Sequence, residues 1–155
     1  MKKIYFTLSI IATLILTACS GTGNQEGDSY DIFSDKVKTK LIEKYNDVHS
    51  HMENGLCIVW SKEEGHKIGF VNAKGKEVIP CIYKNVYSFS EGLAAVKIGH
   101  KWGFIDKFGE RVIDCKYTDI TLFQNGLAAV KMKMECGYKW GYVDMQGNFV
   151  IPCMY

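Results

Sequence analysis

The stretch Lys101-Trp102-Gly103-Phe104-Ile105-Asp106-Lys107-Phe108-Gly109 returns as Lys139-Trp140-Gly141-Tyr142-Val143-Asp144-Met145-Gln146-Gly147. A weaker copy is Lys67-Ile68-Gly69-Phe70-Val71-Asn72-Ala73-Lys74-Gly75. In each copy an apolar run meets Asp106, Asp144 or Asn72, two variable residues follow, and Gly109, Gly147 or Gly75 closes the segment. An Asx side chain at the first position of a type I turn accepts hydrogen bonds from the turn's own amides, and Gly takes the left-handed conformation that comes next. The segments therefore predict short strands ending in tight hairpin loops.

Two other segments recur in step with these. Gly92-Leu93-Ala94-Ala95-Val96-Lys97 matches Gly126-Leu127-Ala128-Ala129-Val130-Lys131 at a distance of 34 positions, and Gly55-Leu56-Cys57-Ile58-Val59 is a weaker copy. Val78-Ile79-Pro80-Cys81-Ile82-Tyr83 corresponds to Val112-Ile113-Asp114-Cys115-Lys116-Tyr117 and to Val150-Ile151-Pro152-Cys153-Met154-Tyr155. The last two copies lie 38 apart because Lys133-Met134-Glu135-Cys136-Gly137 lengthens one hairpin loop. A fixed period with insertions confined to a loop defines a repeat architecture.

The expected fold is all-β: tandem three-stranded antiparallel β-repeats in a solenoid-like array over 55–155, with units at 55–83, 92–117 and 126–155. Three strands with one apolar face cannot bury it alone, so neighbouring units supply the core. Between units, Tyr83, Val86 and Phe89 are echoed by Tyr117, Ile120 and Phe123, which would pin each connection onto the next unit. Strand 148–153, the last of the array, is a candidate exposed edge.

Ahead of the array the periodicity changes. Phe33, Val37, Leu41 and Tyr45 recur at four-residue steps, with Ile42 and Val48 alongside and lysines facing the other way. Region 30–54 thus reads as an amphipathic helix of about three turns and a connection, with Ser34 or Asp35 as N-cap. A helix of this kind near a lipid anchor could lie on a membrane. The favoured reading is a short N-terminal helix that caps the open end of the array.

At the N-terminus, Lys2 and Lys3 precede the apolar run Ile4 to Leu16, which ends at Leu16-Thr17-Ala18-Cys19. This resembles the lipobox of bacterial lipoproteins, in which the signal (here 1–18) is cut before a cysteine whose thiol is acylated. Cys19 is the expected lipidation site, and 19–29, rich in Gly, Ser and Asn, the flexible tether. By the same resemblance Ser20 favours the outer membrane of the cell envelope, with the side of the membrane left open. Lys2 and Lys3 belong to the 19 basic residues, so their loss leaves 17 of each sign, and no electrostatic case for nucleic acid remains.

The Lys-Trp-Gly triplets at 101–103 and 139–141, the Gly-Leu-Ala-Ala-Val segments and the Val-Ile-x-x-x-Tyr segments resemble the WG (KWG) repeat family of bacterial proteins. The first unit departs from the pattern with Ile68 in place of Trp, and the second with Asp114 in place of Pro. The resemblance implies an all-β repeat scaffold and carries no catalytic residues. Its motif positions here are Gly69, Asn72, Gly75, Trp102, Gly103, Asp106, Gly109, Trp140, Gly141, Asp144 and Gly147.

No constellation of catalytic, cofactor-binding or metal-binding residues stands out. Cys81, Cys115 and Cys153 share one repeat position and should form a row spaced about 10 Å apart, too wide for disulfides, which need Cα atoms within about 7 Å. They read as small buried hydrophobes, and Cys136 in the long loop as the most reactive thiol. His49 and His51 share one face of an extended segment but have no third ligand, while His66 and His100 fall in equivalent turns. Trp60, Trp102 and Trp140 read as core, the Gly after Trp102 and Trp140 leaving room for the indole against a neighbouring backbone. The expected function is a non-catalytic, lipid-anchored binding scaffold with a protein partner. Alternatives are a structural component self-associating through its C-terminal edge strand and a carbohydrate-binding surface.

Overall fold

The Asx-Gly segments form the turns that their chemistry predicts in the computed structural model, which describes residues 33–63 and 65–154. The Asp106 carboxylate accepts hydrogen bonds from the amides of Phe108 and Glu110, both at 2.9 Å, while Gly109 N–H donates to the Asp106 carbonyl at 3.0 Å. Asn72 caps the amides of Lys74 and Lys76 in the same way, and Asp144 those of Gln146 and Asn148. Gly75, Gly109 and Gly147 adopt φ of +71°, +86° and +83°, the left-handed region open to glycine.

Helix α1 (Asp35–Lys44) leads into β1 (Tyr45–Glu53), β2 (Leu56–Ser61), β3 (Ile68–Asn72) and β4 (Glu77–Tyr83). There follow β5 (Asn85–Ser90), β6 (Leu93–Ile98), β7 (Lys101–Ile105) and β8 (Arg111–Tyr117). The last group is β9 (Asp119–Ile120), β10 (Leu127–Met134), β11 (Gly137–Asp144) and β12 (Phe149–Ile151). Each group of four is one antiparallel sheet in simple meander order. The signal 1–18, Cys19, the tether 19–29 and Tyr155 lie outside the described residues.

The sheets have four strands, not the three expected, and the extra one is what the sequence presents as a connection. Region 45–53 is accordingly the first strand of the first sheet rather than a link to it. The chain corner repeats there too. In Tyr45-Asn46-Asp47-Val48, Tyr83-Lys84-Asn85-Val86 and Tyr117-Thr118-Asp119-Ile120, the Asx side chain accepts from the next residue's amide at 2.8, 2.9 and 3.0 Å. Tyr45 therefore belongs to the repeat and not to the helix. Each first strand joins the second through Asn54-Gly55, Glu91-Gly92 or Asn125-Gly126, with positive φ at both residues, the backbone of a type I′ hairpin.

Side chains alternate between the two faces of each sheet, and both faces of the inner sheets are apolar. Cys57, Val59 and Val71 of the first sheet pack against Phe33 and Leu41 beneath the helix. Its other face (Leu56, Ile68, Phe70, Ile79) packs with Val86, Phe89, Ala94, Val96 and Ile105 of the second sheet. The second sheet turns Leu93, Ala95, Phe104 and Ile113 toward Ile120, Phe123, Ala128, Val130 and Val143 of the third. The molecule is a stack: helix, first sheet, second sheet, third sheet.

The hairpin glycines repeat this order. A Cβ on Gly147 would lie 3.2 Å from Ile113 of the second sheet, and one on Gly109 3.2 Å from Ile79 of the first. One on Gly75 would meet Val37 of the helix at 2.8 Å. The helix thus stands where a preceding sheet would stand, and it caps the array. Ser34 provides the N-cap backbone, its carbonyl accepting from Val37 and Lys38, without a side-chain cap bond. Ile42, read as part of the apolar stripe, is 69% exposed, so the buried stripe is narrower than the sequence suggests.

Candidate functional site

The stacking rule identifies the one sheet face without a neighbour among the described residues. Phe70, Phe104 and Tyr142 occupy one repeat position and are 1%, 0% and 43% exposed. Ile79, Ile113 and Ile151 occupy another and are 0%, 3% and 38% exposed. The difference lies in the neighbours: the first two members of each set are covered by the next sheet, and among the described residues nothing covers the third. Leu127, Ala129, Lys131, Trp140, Tyr142 and Ile151 make up this open face, built from β10, β11 and β12.

The covered junctions show how such a face is filled. Phe89 of β5 packs edge-on against Phe70 at 5.4 Å between centroids, and Phe123, just after β9, against Phe104 at 4.8 Å. On the third sheet the corresponding region is an open groove of about 440 Å³ lined by Thr121, Leu122, Gln124, Asn125, Leu127, Ala129 and Tyr142. Beside it the Lys131 ammonium lies 5.6 Å from the Tyr138 ring centroid and 5.4 Å from that of Trp140. A cation over an aromatic face is held electrostatically while its methylene stem stays on the apolar surface.

The tryptophans divide between the inside and this face. Trp102 is buried, stacked on Tyr87 at 5.0 Å with the planes 12° apart, and Lys97 lies over it. Trp140, its counterpart, is half-buried on the open face. In the first sheet the indole changes strand: Trp60 of β2 faces Ile68 of β3, as Lys97 faces Trp102 and Lys131 faces Trp140. That exchange explains why Ile68 stands where Trp is expected. The glycine after each of these residues has a different purpose from the one its neighbour suggests. A Cβ on Gly69, Gly103 or Gly141 would sit 2.6, 2.5 or 2.6 Å from the carbonyl oxygen of Ile79, Ile113 or Ile151. The close approach is by the backbone of the fourth strand, not by an indole.

Cys81, Cys115 and Cys153, read as buried, are half-buried, while Cys57 is fully buried. Cys81, Cys115 and Cys153 each direct a thiol toward the carbonyl of Val59, Val96 or Val130, at 4.0, 3.8 and 3.9 Å. All five described cysteines are free thiols, and Cys136 is exposed. Burial pushes Cys57 and Cys81 up to about 11 and raises Cys115 and Cys153, which disfavours the reactive thiolate. His49 and His51 lie over the first junction beside Glu53, and the described residues contain no group of three or more His, Cys, Asp or Glu fit to hold a metal ion.

One polar cluster ties the helix to the array. The Tyr45 hydroxyl donates to Glu77 Oε2 at 2.6 Å, and Lys44 Nζ reaches the same oxygen at 2.9 Å. The tyrosine bond, helped by the lysine and opposed by burial, lowers the Glu77 carboxyl. Burial first, then the bond to Glu77, pushes Tyr45 up to about 12. These contacts are accounted for by helix docking.

The repeats and their stacking define an all-β repeat protein. A family model of a WG containing repeat matches residues 68–102, 102–133 and 140–155. The match covers more than half of the chain, which belongs to this family. Each of the first two matched segments begins at the third strand of one sheet and includes the second strand of the next, so the sequence unit straddles a junction that the structural unit ends at. No curated protein and no solved structure matches the chain.

Proposed function

We propose that this protein is a non-catalytic binding scaffold, tethered to the cell envelope through lipid on Cys19, that engages a protein partner through the open face of its third sheet. One observation carries this reading: apolar positions buried in the first two sheets are exposed in the third. Exposed contiguous apolar surface of this kind marks interaction sites. The motif residues Asn72, Asp106 and Asp144 are occupied in capping turns, and the half-buried thiols of Cys81, Cys115 and Cys153 are held away from the thiolate form, which supports a role without chemistry. Trp102 is enclosed between strands, so a protein surface suits the remaining aromatics better than a groove of stacked sugars.

The test uses the full chain with a C-terminal tag, extracted from membranes in mild detergent. Cys19→Ser should move the chain from the membrane pellet to the soluble fraction. The unaltered chain should retain a protein in stoichiometric amount, and Tyr142→Glu should lose it. Cofractionation of the Cys19→Ser chain with membranes would refute the anchor. Absence of any stoichiometric protein, including a differently tagged copy of the chain itself, would refute the scaffold.

A further inference from the structure

We propose that Asn54, in the turn between β1 and β2, is a site of spontaneous deamidation, and that Glu91 shields the equivalent Asn125 from the same reaction.

The turns Asn54-Gly55, Glu91-Gly92 and Asn125-Gly126 share one backbone conformation, with φ of +51°, +52° and +53° at the first residue and +76°, +86° and +78° at the glycine. The first and the last are Asn-Gly pairs, in which the nitrogen that attacks the side-chain amide belongs to a residue with no Cβ to hinder it. Their flanking residues are nearly the same, Glu53-Asn54-Gly55-Leu56 and Gln124-Asn125-Gly126-Leu127. Both asparagines are exposed. Local sequence, backbone and access to water therefore do not separate them.

The reaction begins when hydroxide removes the proton of the Gly55 N–H. The nitrogen attacks Asn54 Cγ, an N–Cγ bond closes a succinimide ring, the Cγ–Nδ2 bond breaks, and ammonia leaves with a proton taken from water. Water then opens the ring at either carbonyl. One opening leaves aspartate with the original backbone, and the other leaves isoaspartate, in which the chain runs through the side-chain carbonyl. Glu91 has no amide nitrogen to expel, so the middle turn is inert to this step.

The two Asn-Gly turns differ in what holds the nucleophile's proton. Gly126 N–H donates to Glu91 Oε2 at 2.8 Å, and Asn125 N–H donates to Oε1 of the same carboxylate at 2.7 Å. Hydrogen bonds to an ionised acceptor are roughly twice as strong as neutral ones. The negative charge beside the nitrogen also opposes formation of the amide anion. Gly55 has no such guard: among the described residues no side chain accepts from its N–H, and the space beside its Cα is open. The stacking order supplies the reason. Glu91 of the second sheet grips the turn of the third, whereas the layer preceding the first sheet is helix α1, which has no hairpin turn to offer.

The product alters the first sheet. Isoaspartate adds a backbone carbon to a loop closed by the pair Glu53↔Leu56, and it places a new carboxylate beside Glu53. The end of β1 that lays His51 and Glu53 over the first junction is thereby loosened, while the guarded turn of the third sheet keeps its register.

The test holds the full chain, extracted in mild detergent, at neutral pH and physiological temperature. Samples are digested under mildly acidic conditions, which halt the reaction, and read by mass spectrometry with electron-transfer fragmentation to distinguish isoaspartate from aspartate. Asn54 should convert at least about tenfold faster than Asn125, a ratio equivalent to about 1.4 kcal/mol. Urea should bring both sites to a common rate, because their flanking sequences match. Glu91→Ala should raise the Asn125 rate about tenfold and leave Asn54 unchanged. Glu91→Gln, which keeps the side chain's size without its charge, should shift Asn125 in the same direction and serves should Glu91→Ala unfold. Asn54 still intact in the native chain when the urea sample has converted would overturn the site. Equal native rates, or an Asn125 rate unmoved by both Glu91 variants, would overturn the shielding.

Discussion

Glycine serves this chain in two unrelated ways, and single substitutions should separate them. Gly103 has no positive φ, yet a Cβ there would fall 2.5 Å from the Ile113 carbonyl oxygen and 2.7 Å from the Cys115 nitrogen. Both obstacles are backbone in a paired strand, so Gly103→Ala must push β7 and β8 apart. Overpacking of this kind costs about 3 kcal/mol. Gly92 is the reverse case, with open space around it and φ of +86°. Gly92→Ala should cost about 1–2 kcal/mol, the left-handed penalty alone. Urea denaturation of both variants should rank Gly103→Ala as the more destabilising, and equal losses would refute the distinction. The neighbouring Glu91 has a third role. Its carboxylate accepts from the amides of Asn125 at 2.7 Å and Gly126 at 2.8 Å, linking the hairpin turn of the second sheet to that of the third. Glu91→Ala should cost about 1 kcal/mol and speed hydrogen exchange at residues 125 and 126. Unchanged exchange there would show that the link carries no load.

At the level of elements, the sequence was informative wherever local chemistry and tertiary position agree. Asp106, Asp144, Asn72 and the glycines that follow them fold as read, because a capped turn needs nothing beyond its own residues. The second, third and fourth strands of each sheet keep an apolar pattern and fall inside the expected units 55–83, 92–117 and 126–155. The first strands do not announce themselves. Val86 and Phe89 are three apart, not two, because a bulge separates their pairing, and β9 is only two residues long. The same irregularity in β1, between Val48 and Met52, let Tyr45 pass for a helical residue. The open face could not be read from any one segment, since Tyr142 differs from Phe104 by its neighbour rather than by its own pattern.

The docking of α1 should depend on pH through the Tyr45–Glu77–Lys44 cluster. Glu77 has a lowered folded-state carboxyl, so its contribution is complete above the unfolded value near 4.5 and is lost as pH falls through the folded value. Tyr45 is raised from 10.0 to about 12, so its contribution holds below pH 10 and is lost as pH rises toward 12. Amide exchange in 35–45 should therefore accelerate at both extremes relative to β6 and β7. Glu77→Gln should flatten the acid limb, and an acid limb of unchanged steepness would exclude Glu77 as its source.

For the whole molecule, the stack is a one-dimensional array in which each layer is stabilised by those it touches. The first and second sheets have a neighbour on each face, whereas the third has one on a single face. Local opening should therefore begin at the third sheet. The thiols report on each layer: Cys57 and Cys81 lie between the helix and the first sheet, Cys115 between the first and second sheets, and Cys153 between the second and third. Pulsed alkylation across a urea titration should modify exposed Cys136 in the native protein and Cys153 next, before the main transition. Cys57, Cys81 and Cys115 should follow together in that transition, since their layers share clusters with a neighbour on either side. Burial pushes the Cys57 thiol up to about 11, so its alkylation in the native state is slow and should speed up as its layer opens. Simultaneous release of Cys153 with Cys57 would mean that the array unfolds as one unit, and that the uncovered sheet is no weaker than the rest.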